Sequence, residues 1–140
     1  MRLTIDTDVV VAAMRSPSGA SAALLARLLE RKASWLLSVA LALEYEAICM
    51  LAEHRLAAQA SQSEVRNLLD AIFDVIVPVQ VHYQWRPQLS DAADEMVLEA
   101  AVNGRADAIV TFNWADFKDA PGRFGIELWK PADALRELRK

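Results

Sequence analysis

The stretch Leu3-Thr4-Ile5-Asp6-Thr7-Asp8-Val9-Val10-Val11 decides how this chain is read. A short apolar run, Leu3 to Ile5, ends on an acid, and a second apolar run begins beyond Asp8. The first run has the length of a buried strand. Val9-Val10-Val11-Ala12-Ala13-Met14 either continues that strand or begins a helix, and periodicity alone does not choose. An acid placed directly after a buried strand faces a crevice rather than open solvent, and ligands of open α/β sheets gather at the carboxyl ends of the strands. Asp6 is therefore the first candidate functional residue.

Working outward, Ser16-Pro17-Ser18-Gly19 is a turn. Leu24, Leu25, Leu28 and Leu29 fall at helical spacing between Ala20 and Lys32, with Arg27, Glu30 and Arg31 on the other face. Trp35 to Ser38 predicts a buried strand, followed by a helix from about Val39 to Arg55 that buries Leu41, Tyr45, Ile48 and Leu51 or their neighbours. Ser61-Gln62-Ser63-Glu64 has the spacing of a capping box ahead of Val65, Leu68, Leu69, Ile72 and Phe73. Asp74 to Val79 predicts a strand with Pro78 near its end. A Pro-containing loop at Trp85 to Ser90 leads to a helix over Ala92 to Asn103, closed at Gly104 in the manner of a C-cap. Ala108 to Thr111 and Ile126 to Trp129 predict two further strands, and Pro131 opens a terminal helix. Strands alternating with helices predict an α/β fold, a parallel sheet with helices on both faces. The 140 residues are expected to form one domain, 1–140.

Composition narrows the class. Although 54% of residues are hydrophobic, they occur in short blocks, with no run of about 18 apolar residues and no signal-peptide pattern at Met1-Arg2-Leu3. The expectation is a soluble cytoplasmic protein with no membrane partner. The one cysteine, Cys49, sits among apolar neighbours and reads as a buried hydrophobe, and His54 and His82 are too isolated to suggest zinc. A net charge of −4 is opposite to the usual footprint of a nucleic-acid binder. An acidic metal site concentrates negative charge, however, and bound cations reverse the field that a substrate meets.

The acids of interest come from separate segments. Asp6 ends the first strand, Glu44 lies in the helix after the second, Asp94 lies in the first turn of the helix after the Pro-containing loop, and Asn113 and Asp116 follow Thr111. Two carboxylates about 4 Å apart repel by about 4 kcal/mol at an effective dielectric near 20, so a cluster stands only with cations or with raised pKa values. Oxygen ligands without His or Cys suit Mg2+ or Mn2+, and such ions assist phosphodiester hydrolysis. The plain alternative is that Asp91 or Asp94 caps a helix, and that Glu44 is a solvated helix carboxylate as Glu46, Glu53 and Glu99 are expected to be.

Taken in order, these segments resemble the PIN-domain family, and in particular its toxin branch. The opening through Asp6-Thr7-Asp8 resembles that family's strand followed by Asp-Thr-Asn, and the Ser16–Gly19 turn matches the branch. Ser38 to Tyr45 is similar to the second motif, with its acid at Glu44; Asp91 to Ala101 resembles the third, with its acid at Asp94. Ala106 to Phe117 is similar to the fourth, in a Thr-x-Asn-x-x-Asp-Phe form. The likeness runs to about Pro131. It implies a three-layer α/β/α sandwich around a parallel sheet of about four to five strands. It also implies an Mg2+- or Mn2+-dependent endoribonuclease, often dimeric and silenced by a cognate antitoxin. Asp6, Glu44, Asp94 and Asp116 are implied as metal-coordinating and catalytic acids, with Thr111, Asn113, Asp8 and Asp91 in support. Asp8 departs from the usual Asn, and Asn113 stands where many relatives have Asp. Asp107 precedes its strand, at the end away from this site, and reads as a turn residue.

Two rivals differ in chemistry. Asp6-Thr7-Asp8-Val9-Val10 also fits the opening of a haloacid-dehalogenase-type phosphatase, but no later Ser or Thr, Lys and paired-Asp motifs follow. A non-catalytic PIN or receiver-like binding module would instead use Trp85, Trp114 and Trp129 at an interface, where Trp is enriched. The ordinary role for those three is packing in the core or over its edges. Basic residues are scattered without a stripe, among them Arg27, Arg66, Arg86, Lys118 and Arg123; Arg15, beyond Asp6, is the chosen candidate for a phosphate contact.

Overall fold

The fold comes from a computed structural model that describes residues 1–82, 89 and 91–140. Most of the 85–90 loop, with Trp85 and Arg86, lies outside the described residues. Five parallel strands form one sheet in the order β3-β2-β1-β4-β5: β1 (Arg2–Ile5), β2 (Ser34–Leu37), β3 (Val77–Pro78), β4 (Ala108–Val110) and β5 (Glu127–Trp129). Leu3 pairs with Trp35 on one side and Ala108 on the other, which sets β1 at the centre. Helices flank the sheet: α1 (Thr7–Arg15), α2 (Ala20–Leu29), α3 (Val39–Cys49), α4 (Ala52–Ala58), α5 (Gln62–Val75), α6 (Ala92–Asn103), α7 (Trp114–Phe117) and α8 (Pro131–Leu138). The expected α/β/α sandwich is the architecture found. Among the described residues no single helix is long and apolar enough to cross a membrane.

The central strands are buried on both faces, as parallel sheets require, so Leu3, Ile5, Leu36, Ala108, Ile109 and Val110 read as nearly unbroken apolar runs. The undecided segment after Asp8 is helical: α1 begins at Thr7, and Val9, Val10 and Val11 are buried against the core. Ser61 and Glu64 form the expected capping box at the start of α5.

Two expectations are corrected and a third holds with a different backbone at the cap. The helix from Val39 to Arg55 is two helices, because Leu51 adopts an extended backbone and the Arg55 side chain takes the freed Met50 carbonyl at 3.1 Å. Leu51 is consequently exposed, while Cys49 on α3 is buried as expected, and burial pushes its thiol up to about 12. The strand expected over Asp74 to Val79 shrinks to Val77–Pro78, since α5 runs on to Val75 along the apolar face of Val65, Leu69 and Ile72. Gly104 does close α6, but with φ −87°. Its lack of a side chain serves close packing: a Cβ there would meet the Ala100 carbonyl, Leu36 and Val79 at 2.9 Å each.

Candidate active site

The strand order fixes where a ligand can bind. From β1 the chain winds outward through β2 and β3, then returns to lay β4 on the other side of β1. Helical connections leave β1 and β4 in opposite directions, opening a crevice at their carboxyl ends. Asp6 and Thr111 are the first residues beyond those two strands.

Hydrogen bonds close this switch point. The Asp6 backbone N–H donates to the Val110 carbonyl at 2.9 Å, and the Thr111 hydroxyl donates to Asp6 Oδ2 at 2.7 Å. Thr111 Oγ1 in turn accepts from the Asn113 N–H at 2.9 Å. Asp8, the second residue of α1, accepts the Phe112 N–H on Oδ2 at 3.1 Å. The start of α1 and the turn after β4 are thus tied into one unit, with Asp6, Asp8, Thr111 and Asn113 brought together.

The remaining acids reach the crevice from α3, α6 and α7. Asp91 is the N-cap of α6 and accepts the Ala93 N–H at 2.8 Å, so the plain capping reading describes it well. Asp94, three residues on, is no cap; it is buried at 7% exposure, as is Asp6. Glu44 is half-buried on α3, whose register is set by its neighbour: the Tyr45 hydroxyl donates to the Ile5 carbonyl and accepts from Trp35 Nε1. A fully buried tyrosine needs a partner for its hydroxyl, and that was the available signal for this link between α3 and β1. Asp116 and Asn113 are exposed on the rim, on the short α7 anchored by buried Phe117.

These carboxylates sense one another. Burial raises the Asp6 pKa against the opposing pull of Thr111 and the backbone amides of Thr7 and Asp8, with Asp116 raising it further. Burial and then the neighbouring Asp6 push Asp8 up to about 7. Asp94 rises to about 6 through burial and the charges of Asp6, Asp91 and Asp116. Glu44 is raised by burial and by Asp6 and Asp91. Mutual influence of this kind places Asp6, Glu44, Asp94 and Asp116 within electrostatic reach of a common crevice.

What is missing is a counter-charge. Among the described residues, none of Asp6, Asp8, Glu44, Asp94 or Asp116 has a Lys, Arg or His within ion-pair distance, and buried Asp8 Oδ1 has no hydrogen-bond partner. Two buried acids with only like charges nearby, and an orphaned carboxylate oxygen beside them, form an all-oxygen donor set that fits a hard divalent cation. Among the described residues no three His, Cys, Asp or Glu side chains stand close enough to form a finished metal cage. The set fits a cation in chemistry and charge rather than as a completed coordination shell.

Two expectations fare differently. Arg15 lies at the far end of α1, about 12 Å along the helix axis from its start, where Nη1 meets His54 Nδ1 at 3.4 Å. It is not brought to the acids. Glu99, expected to be solvated, is buried and lines an apolar cavity of about 270 Å³ with Ser38, Val39 and Met96. Its position on α6, one helical turn from Glu95, faces inward because α6 covers β1, β2 and β4.

Comparison with known proteins adds one match. A family model described as the PIN domain covers residues 2–115, from β1 into the first residues of α7. No curated protein matches the chain.

Proposed function

The chain belongs to the PIN-domain family, and from that premise we propose that it is a divalent-metal-dependent endoribonuclease and the toxin of a toxin–antitoxin pair. PIN domains have a nuclease fold, and the acid crevice at the switch point is the natural place for the chemistry. The reading rests on one observation: Asp6 and Asp94 are both buried, Asp94 feels the charge of Asp6, and neither has a basic partner among the described residues. Buried charges are otherwise paired or neutralised, so this arrangement calls for a cation.

In this reading Asp6, Glu44, Asp94 and Asp116 hold Mg2+ or Mn2+. When bound, the ion supplies Lewis-acid activation of a phosphodiester and of water. Asp6 is oriented by the Thr111 hydroxyl, whose bond favours its ionised form against the effect of burial, while Asn113 is fixed by its own bond to Thr111. Asp8 holds the Phe112 amide, which sets the height of the rim over the crevice. Asp91 starts α6 in the register that turns Asp94 inward. Exposed Asp116 is the acid with most freedom to move as substrate and cation enter. Arg15 keeps its proposed role only for RNA extending well past the crevice.

Partners beyond RNA follow from the apolar surface of α3 and α4. Val39, Leu43, Leu51 and Leu56 are exposed there, and a helix apolar on all sides normally has a covered outer face. A second copy of the chain and a cognate antitoxin are the proposed occupants of such surface, in the cytoplasm where both would be made.

Calorimetric titration of Mn2+ and cleavage of single-stranded RNA, with and without chelator, test the reading. Wild type should bind Mn2+ and cleave only with metal, and Asp6→Asn should lose both while remaining folded. Equal cleavage by Asp6→Asn, or full cleavage in chelator, would sink the mechanism.

A further inference from the structure

The rim of the crevice carries more aromatic surface than an acid site requires. Phe112 and Trp114, on either side of Asn113, are exposed by 51% and 41%. Both belong to the turn that Thr111 and Asp8 bind to the acid cluster, so their position relative to Asp6 is fixed by hydrogen bonds rather than left to a loose loop. Beyond Trp114 opens a groove of about 440 Å³, lined by Lys118, Ile126, Leu128 and Trp129 among others.

The charges in this groove sort in an informative way. Its carboxylates are engaged: Asp119 pairs with Arg123 at 2.9 Å, and Glu127 accepts from Trp129 Nε1 at 2.9 Å. Lys118, its one lysine, has no ion-pair partner among the described residues, and Lys130, next to the groove in sequence, places Nζ over the Trp114 ring, 5.7 Å from its centroid. Lys118 is held at φ 52° and ψ −129°, a conformation strained for a residue with a side chain. In a chain of net charge −4, two lysines thus stand at an exposed aromatic surface, Lys118 in the groove it shares with Trp114 and Lys130 against the Trp114 ring.

We propose that Phe112, Trp114 and the Lys118–Lys130 groove form a base-stacking subsite for single-stranded RNA, holding nucleotides that flank the phosphate in the acid crevice. Aromatic rings interleaved with lysines are what single strands bind: every base has a face to stack, and every phosphate needs a cation. The site supplies affinity that the acids cannot, since they repel the backbone until a cation is bound. A duplex, with its bases already stacked, has nothing to offer these rings. The subsite therefore selects single-stranded or looped RNA. The inference deepens the nuclease reading and rests on it for the substrate's identity.

The test separates base from backbone. Binding of a single-stranded RNA of about 12 nucleotides, within the span of known stacking grooves, is compared in chelator with that of an abasic strand of equal length. Trp114→Ala should weaken binding of the RNA about tenfold, leave the abasic strand unaffected, and be rescued by Trp114→Phe. Phe112→Ala should act in the same direction. In Mn2+, Trp114→Ala should raise KM with kcat and Mn2+ affinity unchanged. Equal weakening for both strands, or a fall in kcat or Mn2+ affinity without a change in KM, would overturn the proposal by reducing Trp114 to a structural residue. So would unchanged RNA binding with loss of self-association, which would make the surface a protein interface. Base-dependent binding without any metal-dependent cleavage would strike the nuclease reading and leave the stacking surface standing.

Discussion

The two ends of the sheet use the same residue type to opposite effect. At the amino edge, Asp107 accepts the Arg2 N–H at 2.7 Å, and the Arg2 guanidinium donates twice to the Gly104 carbonyl, at 3.0 and 2.8 Å. Each polar group there has a partner, the acid is solvated, and the net result is a closed turn between α6 and β4. At the carboxyl edge Asp6 and Asp94 are buried, and among the described residues Asp8 has an orphaned oxygen and the charges acting on Asp94 are like charges. The first arrangement stabilises the fold as it stands. The second is costly until something positive arrives, and a cost of that kind persists where function requires it.

The comparison can be broken at Thr111. Its hydroxyl is the only side chain seen to donate to Asp6 among the described residues, and it also receives the Asn113 amide. Thr111→Val keeps the shape and removes both bonds. Cleavage and Mn2+ affinity should fall by about 10–100-fold, the usual effect of losing a group that orients a metal ligand, while the melting temperature changes little. A variant with normal Mn2+ affinity would mean that Asp6 does not need Thr111 and that the carboxyl edge is no more specialised than the amino edge.

Much of this contrast was legible in the sequence. Asp6 could be placed because the strand before it is short and mostly apolar, and Asp107 could be set aside because it precedes its strand. The parallel alternation of elements was readable for a related reason: past the polar residues Arg2 and Ser34 that open β1 and β2, the three strands β1, β2 and β4 are buried and apolar, Thr4 excepted. What escaped was set by tertiary contacts. The break at Leu51 depends on Arg55 reaching back to Met50, and no local pattern announces that. The Val75-Ile76-Val77 run has strand propensity throughout, yet Val75 completes the apolar face of α5. Glu99 looks like any helix carboxylate until α6 is laid across the sheet. Within the site, the sequence offered the acids but not which of them would be buried: Asp94 is, Asp116 is not, and Asp91 is a cap.

Acidity provides a second way to sharpen the contrast. Burial and like-charge neighbours raise Asp8 to about 7 and Asp94 to about 6 from an ordinary value of 3.8. The folded protein thus holds protons that the unfolded chain has already released, so metal-free stability should be highest near pH 4 and fall as pH rises through 6 and 7. After discounting for partial exposure, the loss should amount to about 1 kcal/mol or somewhat more. Mn2+ at pH 7.5, about the physiological value, should recover it, because the ion binds the ionised acids of the folded state alone. Thermal melts at several pH values, with and without Mn2+, measure this directly. Asp94→Asn should flatten the metal-free pH slope; an unchanged slope would show that the carboxyl edge carries no stored repulsion.

The smallest effect belongs to the amino edge, and its smallness is the point. Asp107→Ala removes an exposed acceptor from the Arg2 amide, a group that water can satisfy instead. Exposed hydrogen bonds contribute about 0.5–1 kcal/mol, so the melting temperature should drop by a few degrees at most. Arg2 remains tied to Gly104 through its guanidinium, which keeps the turn into β4 in place. Since β4 runs from this turn to Thr111, any slackening at Asp107 that propagated along the strand would disturb the Thr111–Asp6 bond and appear as weaker Mn2+ binding. Ala108, Ile109 and Val110 are fully buried between β1 and β5, so the strand should transmit nothing. Unchanged Mn2+ affinity and unchanged kcat, alongside a slightly lower melting temperature, are therefore expected. A loss of Mn2+ affinity comparable to that of Thr111→Val would mean that the two edges form one mechanical unit and that the division between them is false.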